Sequence, residues 1–370
     1  MTMKKIQIHI IAAARPNFMK IAPLYHELAK HDWCDVSVVH TGQHYDVSMS
    51  DAFFNDLGLP TPDYHLNIGS GSHAEQTAGV MLGYEKVCAK HRPDLTVVVG
   101  DVNSTMACAI TAVKLGIKVA HLEAGLRSHD RAMPEEINRI ITDSISDVLW
   151  TPSKDGNEHL HKEGVEAEKI TLVGNIMIDS YELQKESIIK CNILKDLSLD
   201  LTSKKYGVVT LHRPSNVDNN DIISNIVSQL IAASKKLPIV FAIHPRTEKQ
   251  LKLFDLYEKI SECKTIKLIK PLGYIEFISL VSSAKLIVTD SGGIQEETTY
   301  LNIPCLTLRD NTERPITVIQ GTNKLIKSDE LLDSIDNVLS GSWKNAKKIE
   351  YWDGDTAKRV AMDIKTRFVE

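Results

Sequence analysis

The stretch LTVVVGDVNSTMACAITAVKLGIKVAHLEAG, residues 95–125, decides the fold. It opens on a near-continuous aliphatic run (95–100), passes through a segment that reads as a helix, and closes on a second aliphatic run (119–122). Strands that are apolar on both faces and alternate with helices predict a parallel sheet covered on both sides. Each run ends at an acid, Asp101 and Glu123. Ligands of open parallel sheets bind beyond the carboxyl ends of the strands, so these two residues stand where chemistry is expected.

The same alternation extends in both directions. Strands are expected at 6–12, 36–40, 95–100, 119–122, 147–151 and 170–173, then at 206–211, 238–243, 265–269, 286–289, 305–308 and 324–326. Each series is long enough for one doubly wound domain, and at roughly 150 residues per domain a chain of 370 residues accommodates two. The expected organisation is an α/β fold with two Rossmann-type parallel-sheet domains, 1–183 and 206–354. A lysine-rich polar linker (184–205) joins them, and a C-terminal helix (355–370) follows, expected to pack back on the first domain.

Composition narrows the function. A hydrophobic fraction of 43% with 25% charged residues excludes a disordered chain. The 43 basic and 48 acidic residues are spread along the chain, leaving no basic block for nucleic acid and no polybasic membrane anchor. No apolar run approaches the roughly 20 residues of a membrane span. The two lysines and short apolar run at the start read as a first strand rather than a targeting segment. The six cysteines include no CxxC pair and read as reduced thiols of a cytoplasmic protein.

Several cofactor signatures are absent. After the first strand the sequence is Ala12-Ala13-Ala14-Arg15-Pro16-Asn17, without the glycines that a dinucleotide pyrophosphate requires, and no GxxxxGK[ST] occurs. No set of residues has metal-ligand spacing; His159 and His161 read as surface groups of a helix. No cofactor is therefore expected.

The expected strand ends carry Arg15, His40, Asp101, Glu123, His212, His244 and Asp290, a density of acids and histidines that predicts a cleft between two domains. Ser291-Gly292-Gly293 precedes a helix and reads either as an anion site for phosphate or as an ordinary cap with turn glycines. Arg309 and Arg314 offer guanidiniums near another turn. Glu297, one turn into the helix, suits a ribose, and its alternative is a surface glutamate. Glu135 and Glu136 follow Pro134 in a helix start, where acids also serve the helix dipole. Asp101, Glu123 and Glu135 form a set of carboxylates that can divide into acid and base roles.

Taken together, these segments resemble the non-hydrolysing UDP-N-acetylglucosamine 2-epimerases. The match runs in order through ARPNFMKIAPL (14–24), TGQHYD (41–46), GDVNST (100–105), HLEAGLRS (121–128), MPEEINR (133–139), LHRPSN (211–216), HPR (244–246), DSGGIQEET (290–298) and LRDNTERP (308–315). The resemblance implies a GT-B-like architecture, a homodimer, and interconversion of UDP-GlcNAc and UDP-ManNAc; closure of the two domains around UDP is expected because the carboxylates and the Ser291-Gly292-Gly293 turn fall in opposite halves of the chain. The implied route eliminates UDP to 2-acetamidoglucal and adds it back. It also implies roles: acid/base work for Asp101, Glu123 and Glu135, with His212 beside the phosphates. Substrate binding falls to Arg15, Lys20, Arg139, His244, Phe277, Ser291, Gly292, Gly293, Glu297 and Arg314.

The first motif departs from the family's GTRPE, with Ala13 for glycine and Asn17 for the acid, and LHRPSN replaces HRREN. TGQHYD and GSGSHAEQT (69–77) resemble a subgroup that includes epimerases of modified sugars such as 2,3-diacetamido uronic acids. The alternatives are therefore a decorated UDP-GlcNAc as substrate, or a hydrolysing epimerase that releases UDP and free N-acetylmannosamine. Gln43 and Glu136 match positions of an activating site in some relatives.

Overall fold

The computed structural model describes residues 5–13, 15–42, 57–197 and 205–370. The chain divides into two compact units, Met1–Leu183 with Ile349–Glu370, and Gln184–Lys348. The first contains β1 (Ile6–Ala12), β2 (Cys34–His40), β3 (Tyr64–His65), β4 (Leu95–Val99), β5 (Lys118–Leu122), β6 (Val148–Thr151) and β7 (Ile170–Leu172) in the order β3-β2-β1-β4-β5-β6-β7. The second contains β8 (Gly207–Thr210), β9 (Ile239–Ala242), β10 (Ile266–Ile269), β11 (Leu286–Thr289), β12 (Cys305–Leu308) and β13 (Asn323–Ile326) in the order β10-β9-β8-β11-β12-β13. Every pairing is parallel. This is the doubly wound Rossmann-type fold twice over.

Aliphatic runs produce this arrangement because each central strand is buried on both faces. All five residues of β4 are buried, as are all four of β9, β11 and β12. Helices cover both sides, and the second unit's largest apolar cluster joins Val209, Phe241 and Val288 to Ile223, Ile226, Val227 and Leu230. In each sheet the chain starts centrally, runs to one edge, and returns to build the other. The switch lies between β1 and β4 in the first unit and between β8 and β11 in the second. These are the crevices in which such sheets bind ligands.

Three details differ from the sequence expectation. The two-residue edge strand β3 was not expected, being too short to leave a pattern. The expected linker is helical to Lys190 within Ile176–Lys190, and again at Ile193–Asp196. Residues 349–354, assigned above to the second domain, belong to the first unit, where Trp352 Nε1 donates to the Pro152 carbonyl (3.0 Å).

The terminal helix Thr356–Phe368 packs on the helix Arg15–Leu28. Its start is held by Asp179, whose Oδ1 accepts from the Ala357 N–H at 2.8 Å. Further along, Trp150 Nε1 donates to Asp363 at 2.7 Å. Among the described residues no helix is long and apolar enough to cross a membrane.

Candidate active site

At the first switch point, β1 leads into the helix Arg15–Leu28. The Arg15 side chain lies outside the described residues, as does Gln43. Asn17 Nδ2 donates to the Val99 carbonyl (2.8 Å), tying the helix start to the end of β4. One turn on, Lys20 forms an ion pair with Glu123, with side chains 11% and 3% exposed. Gly100 separates β4 from Asp101 with φ +71°, and a Cβ there would lie 3.3 Å from both Glu123 Oε2 and Lys20 Nζ. The positive φ favours glycine there, and a side chain would press on the Lys20–Glu123 pair.

Glu123 itself has φ +74°, a left-handed conformation that costs a non-glycine residue roughly 1–2 kcal/mol. The conformation is enforced because the N–H groups of Glu123 and Ala124 both donate to the Trp150 carbonyl (3.1 and 3.0 Å). Strain of this kind concentrates at functional sites. Glu123 Oε1 is buried without a hydrogen-bond partner among the described residues, as expected of an atom waiting for a ligand.

Asp101, the residue after Gly100, is partly exposed, and its Oδ2 receives Arg139 Nε (3.1 Å) and Nη2 (2.9 Å). The buried Arg139 also forms an ion pair with Glu136. Glu136 accepts from Ser128 N (2.9 Å), Ser128 Oγ (3.0 Å) and His129 N (2.8 Å). Glu136 therefore braces Arg139 and the loop after β5. Glu135 is exposed and shares none of these contacts among the described residues.

Behind the carboxylates, fully buried His121 spans from Asp143 (Nδ1, 2.5 Å) to the Gly100 carbonyl (Nε2, 2.8 Å). Asp143 also meets Arg127 (2.7 Å) and the Gly125 N–H (3.0 Å). Burial acts to raise the Asp143 carboxyl, but His121, Arg127 and the amide outweigh it and hold it below its ordinary value. The loops carrying Asp101 and Glu123 thus rest on one charged network.

At the second switch point, Asp290 is fully buried after β11. Its carboxylate accepts from the backbone of His212 (3.0 Å) and Arg213 (2.9 Å) and from Asn216 Nδ2 (3.0 Å), and faces His212 Nδ1 at 2.9 Å. Burial again acts upward on Asp290, and His212 with these donors brings it below the ordinary carboxylate value. His244, exposed at the end of β9, caps the helix Pro245–Leu253 by accepting from Arg246 N at 3.2 Å. The two histidine rings lie 5.7 Å apart.

Ser291 precedes the helix Gly292–Tyr300 and makes no side-chain capping bond to it. A Cβ on Gly293 would meet nothing within 4 Å, so space lies open beside it. Gly292 is enclosed: a Cβ would lie 2.5 Å from Glu313 Oε1 and 2.8 Å from Arg314 Nη1. Arg314 is paired with Glu296 (2.9 Å) and Glu313, and Glu313 also holds Arg309 (2.8 Å). Glu297 is 5% exposed, and its Oε1 has no hydrogen-bond partner among the described residues. Burial pushes its carboxyl up to about 8, against the Tyr274 hydroxyl, with Glu296 adding to the rise and Arg314 opposing it. Phe277 is half-buried against an apolar cluster that includes Leu280 and Ile294.

The structure brings Lys20, Glu123, Asp101 and Arg139 together around Gly100 in the first unit. In the second it groups His212 with His244, and Gly292 with Arg314, while Glu297 lies one turn into the same helix as Gly292. Sequence reasoning passed over Asp143 and Glu313. It named Asp290 at a strand end and Glu136 at a helix start and among activating-site positions, but not the partners that they hold.

A family model described as UDP-N-acetylglucosamine 2-epimerase matches residues 26–365. The chain is 44% identical over 362 residues to the UDP-N-acetylglucosamine 2-epimerase of Methanococcus maripaludis, covering 96% of this chain and 97% of that one. It is 36% identical to the UDP-2,3-diacetamido-2,3-dideoxy-D-glucuronate 2-epimerase of Pseudomonas aeruginosa, covering 96% and 98%. The crystal structure of Methanocaldococcus jannaschii UDP-GlcNAc 2-epimerase in complex with UDP-GlcNAc and UDP superposes with a TM-score of 0.87 at 42% identity, over 98% of this chain and 100% of that one. The chain belongs to the UDP-N-acetylglucosamine 2-epimerase family.

Proposed function

We propose that the protein is a non-hydrolysing 2-epimerase that interconverts UDP-N-acetylglucosamine and UDP-N-acetylmannosamine. The observation that carries this reading is the pair of carboxylate–cation contacts around Gly100, Glu123 with Lys20 and Asp101 with Arg139. Inverting C2 requires one group to remove its proton and another to deliver a proton to the opposite face. In the forward step a carboxylate takes the C2 proton. The C–H electrons form the C1–C2 double bond, and the C1–O pair leaves with UDP as 2-acetamidoglucal forms. The reverse step adds UDP while a proton arrives at C2 from the other side.

Asp101 and Glu123 are the proposed proton carriers, with Glu135 available from the solvent side. Negative charge grows on the departing diphosphate, and donors already in place stabilise it without reorganisation. Ser291, Gly292, Gly293 and His212 are the proposed donors, with Arg15. Lys20 serves differently from a simple phosphate ligand, being held on the buried Glu123 carboxylate, whereas Arg314 is a further proposed donor, fixed in advance by Glu296 and Glu313. Glu297, with its unpartnered buried oxygen, is the proposed ribose acceptor. His244 and Phe277 complete the proposed UDP contacts.

The 36% identity to the diacetamido-glucuronate epimerase and the Ala13 and Asn17 departures favour one second reading, a decorated UDP-GlcNAc substrate. Proton and phosphorus NMR of UDP-GlcNAc with the enzyme in D2O separates the readings. Epimerisation predicts both UDP sugars with deuterium at C2. Accumulation of UDP with free N-acetylmannosamine would assign the hydrolysing reaction instead. No change with UDP-GlcNAc, but turnover of the 3-acetamido uronic acid analogue, would establish the second reading.

A further inference from the structure

Two histidines face one another in the second unit, and their neighbours treat them oppositely. Asp290 is fully buried and touches His212 rather than the open side of the site. It receives two backbone N–H groups and the Asn216 amide, so it is an ionised acceptor, and only a protonated Nδ1 on His212 can satisfy it at 2.9 Å. The Nε2 of His212 is then left outward on a side chain that is 40% exposed. At His244 the polarity is reversed. Its Nδ1 accepts the Arg246 N–H at the start of a helix, which places its hydrogen on Nε2. A second proton on that ring would lose the cap and stand against the helix dipole.

We propose that Asp290 and the Arg246 N–H fix His212 and His244 in opposite tautomers, so that His212, its Nδ1–H held on Asp290, presents Nε2 as the atom that takes and gives a proton, while His244 presents an Nε2–H donor. The titratable and charged groups facing His212 are Asp290 and His244, with Arg213 next in the chain bound through Nε to the Asp290 carbonyl (2.9 Å). Those facing His244 are His212, Asp290 and Arg246, and Arg246 is itself engaged by Asp218. Burial, and next the positive charge of His212, lower the His244 value, in keeping with this division. Asp290 is a positioning residue. Resting on the epimerase reading, His212 gives its Nε2 proton to the diphosphate oxygen as the C1–O bond breaks, and takes it back when UDP re-adds.

The test uses full-length protein labelled with 15N-histidine, with the rings assigned through His212→Gln and His244→Gln. Multiple-bond 1H–15N spectra of the neutral rings should show Nδ1–H at His212 and Nε2–H at His244. In Asp290→Asn the amide can donate to Nδ1, so His212 should convert to the Nε2–H form. The kcat should fall by about 10²- to 10⁴-fold with UDP affinity nearly unchanged, the scale seen when a carboxylate that orients a catalytic histidine becomes an amide. The double variant with His212→Gln should be no slower than His212→Gln alone. An Nε2–H tautomer of His212 in the wild type, or losses that multiply in the double variant, would overturn the proposal. If Asp290→Asn does not fold, the wild-type spectrum decides alone. A wild type inactive on every UDP sugar would refute the epimerase reading while leaving the tautomers measurable.

Discussion

Glu297→Gln should make the free protein more stable and a poorer binder of UDP. The Glu297 carboxyl is pushed from the ordinary 4.5 to about 8, chiefly by burial. A carboxyl raised on folding contributes stability that is complete below its unfolded value and is lost as pH rises through its folded value. The window is therefore pH 4.5 to about 8, and the displacement corresponds to at most about 5 kcal/mol across it, of which about 3 kcal/mol is lost by pH 7. Glutamine keeps the shape and removes the titration. Urea unfolding of the ligand-free protein at pH 5 and pH 8.5, with hydrogen exchange of the 286–308 peptides reporting on the second unit, measures the effect. The variant should gain on the wild type as pH rises, and titration calorimetry at pH 8.5, where the wild-type carboxyl is ionised, should show UDP affinity lower by about tenfold or more, the loss expected when an uncharged group replaces a hydrogen-bonding carboxylate. If wild type and variant lose stability in parallel between pH 5 and 8.5, the reasoning fails, because Glu297 would then not be the group that titrates.

Three further outcomes follow from other contacts. Lys20→Met strands a buried Glu123 carboxylate and should cost about 3–5 kcal/mol, while adding Glu123→Gln should recover most of that stability and none of the turnover, as a double-mutant cycle would show. Gly292→Ala places a methyl 2.5 Å from Glu313 Oε1; displacing Glu313 and Arg314 should cost about 1–3 kcal/mol in thermal unfolding and weaken UDP binding in the same calorimetric assay. Asp179, raised to about 6 mainly by burial, contributes stability that is complete below pH 3.8 and declines as pH rises through 6. Asp179→Asn should flatten that decline in pH-dependent melts, by about 3 kcal/mol at most.

The sequence carries the fold almost completely because the central strands, such as Leu95–Val99, Ile239–Ala242 and Leu286–Thr289, are solvated on neither face. Ile6–Ala12, Leu286–Thr289 and Cys305–Leu308 are bounded in the structure where the aliphatic runs place them. What escapes is either too short for periodicity, as at Tyr64–His65, or depends on contacts distant in sequence. Glu123 meets a lysine 103 residues away, and Asp290 meets a histidine 78 residues away. A strand-end acid can be recognised from the run before it, but its partner cannot. The same limit explains Glu136: acids in a helix's first turn read alike, and only the loop residues Ser128 and His129 distinguish the buried one from exposed Glu135.

The two switch points place their charges on different terms. Around Gly100 each proposed proton carrier has a cation on one oxygen. Glu123 Oε1, with no partner, is free to meet substrate, and the strained φ of Glu123 maintains that pose. A carboxylate with one oxygen held on a cation and the other open to substrate suits the removal of a weakly acidic proton. Around the β8–β11 switch the buried carboxylates instead hold donors: Asp290 holds His212, and Glu313 holds Arg309 and Arg314. Donors fixed before charge develops are the requirement for a departing diphosphate. Lys20 and Arg139 belong to the first arrangement. Exchanging either for glutamine should therefore change the pH dependence of kcat through its carboxylate, whereas exchanging Arg314 should act on UDP affinity. A Lys20 variant whose only defect is weaker UDP binding would show that the division drawn between the two units is wrong.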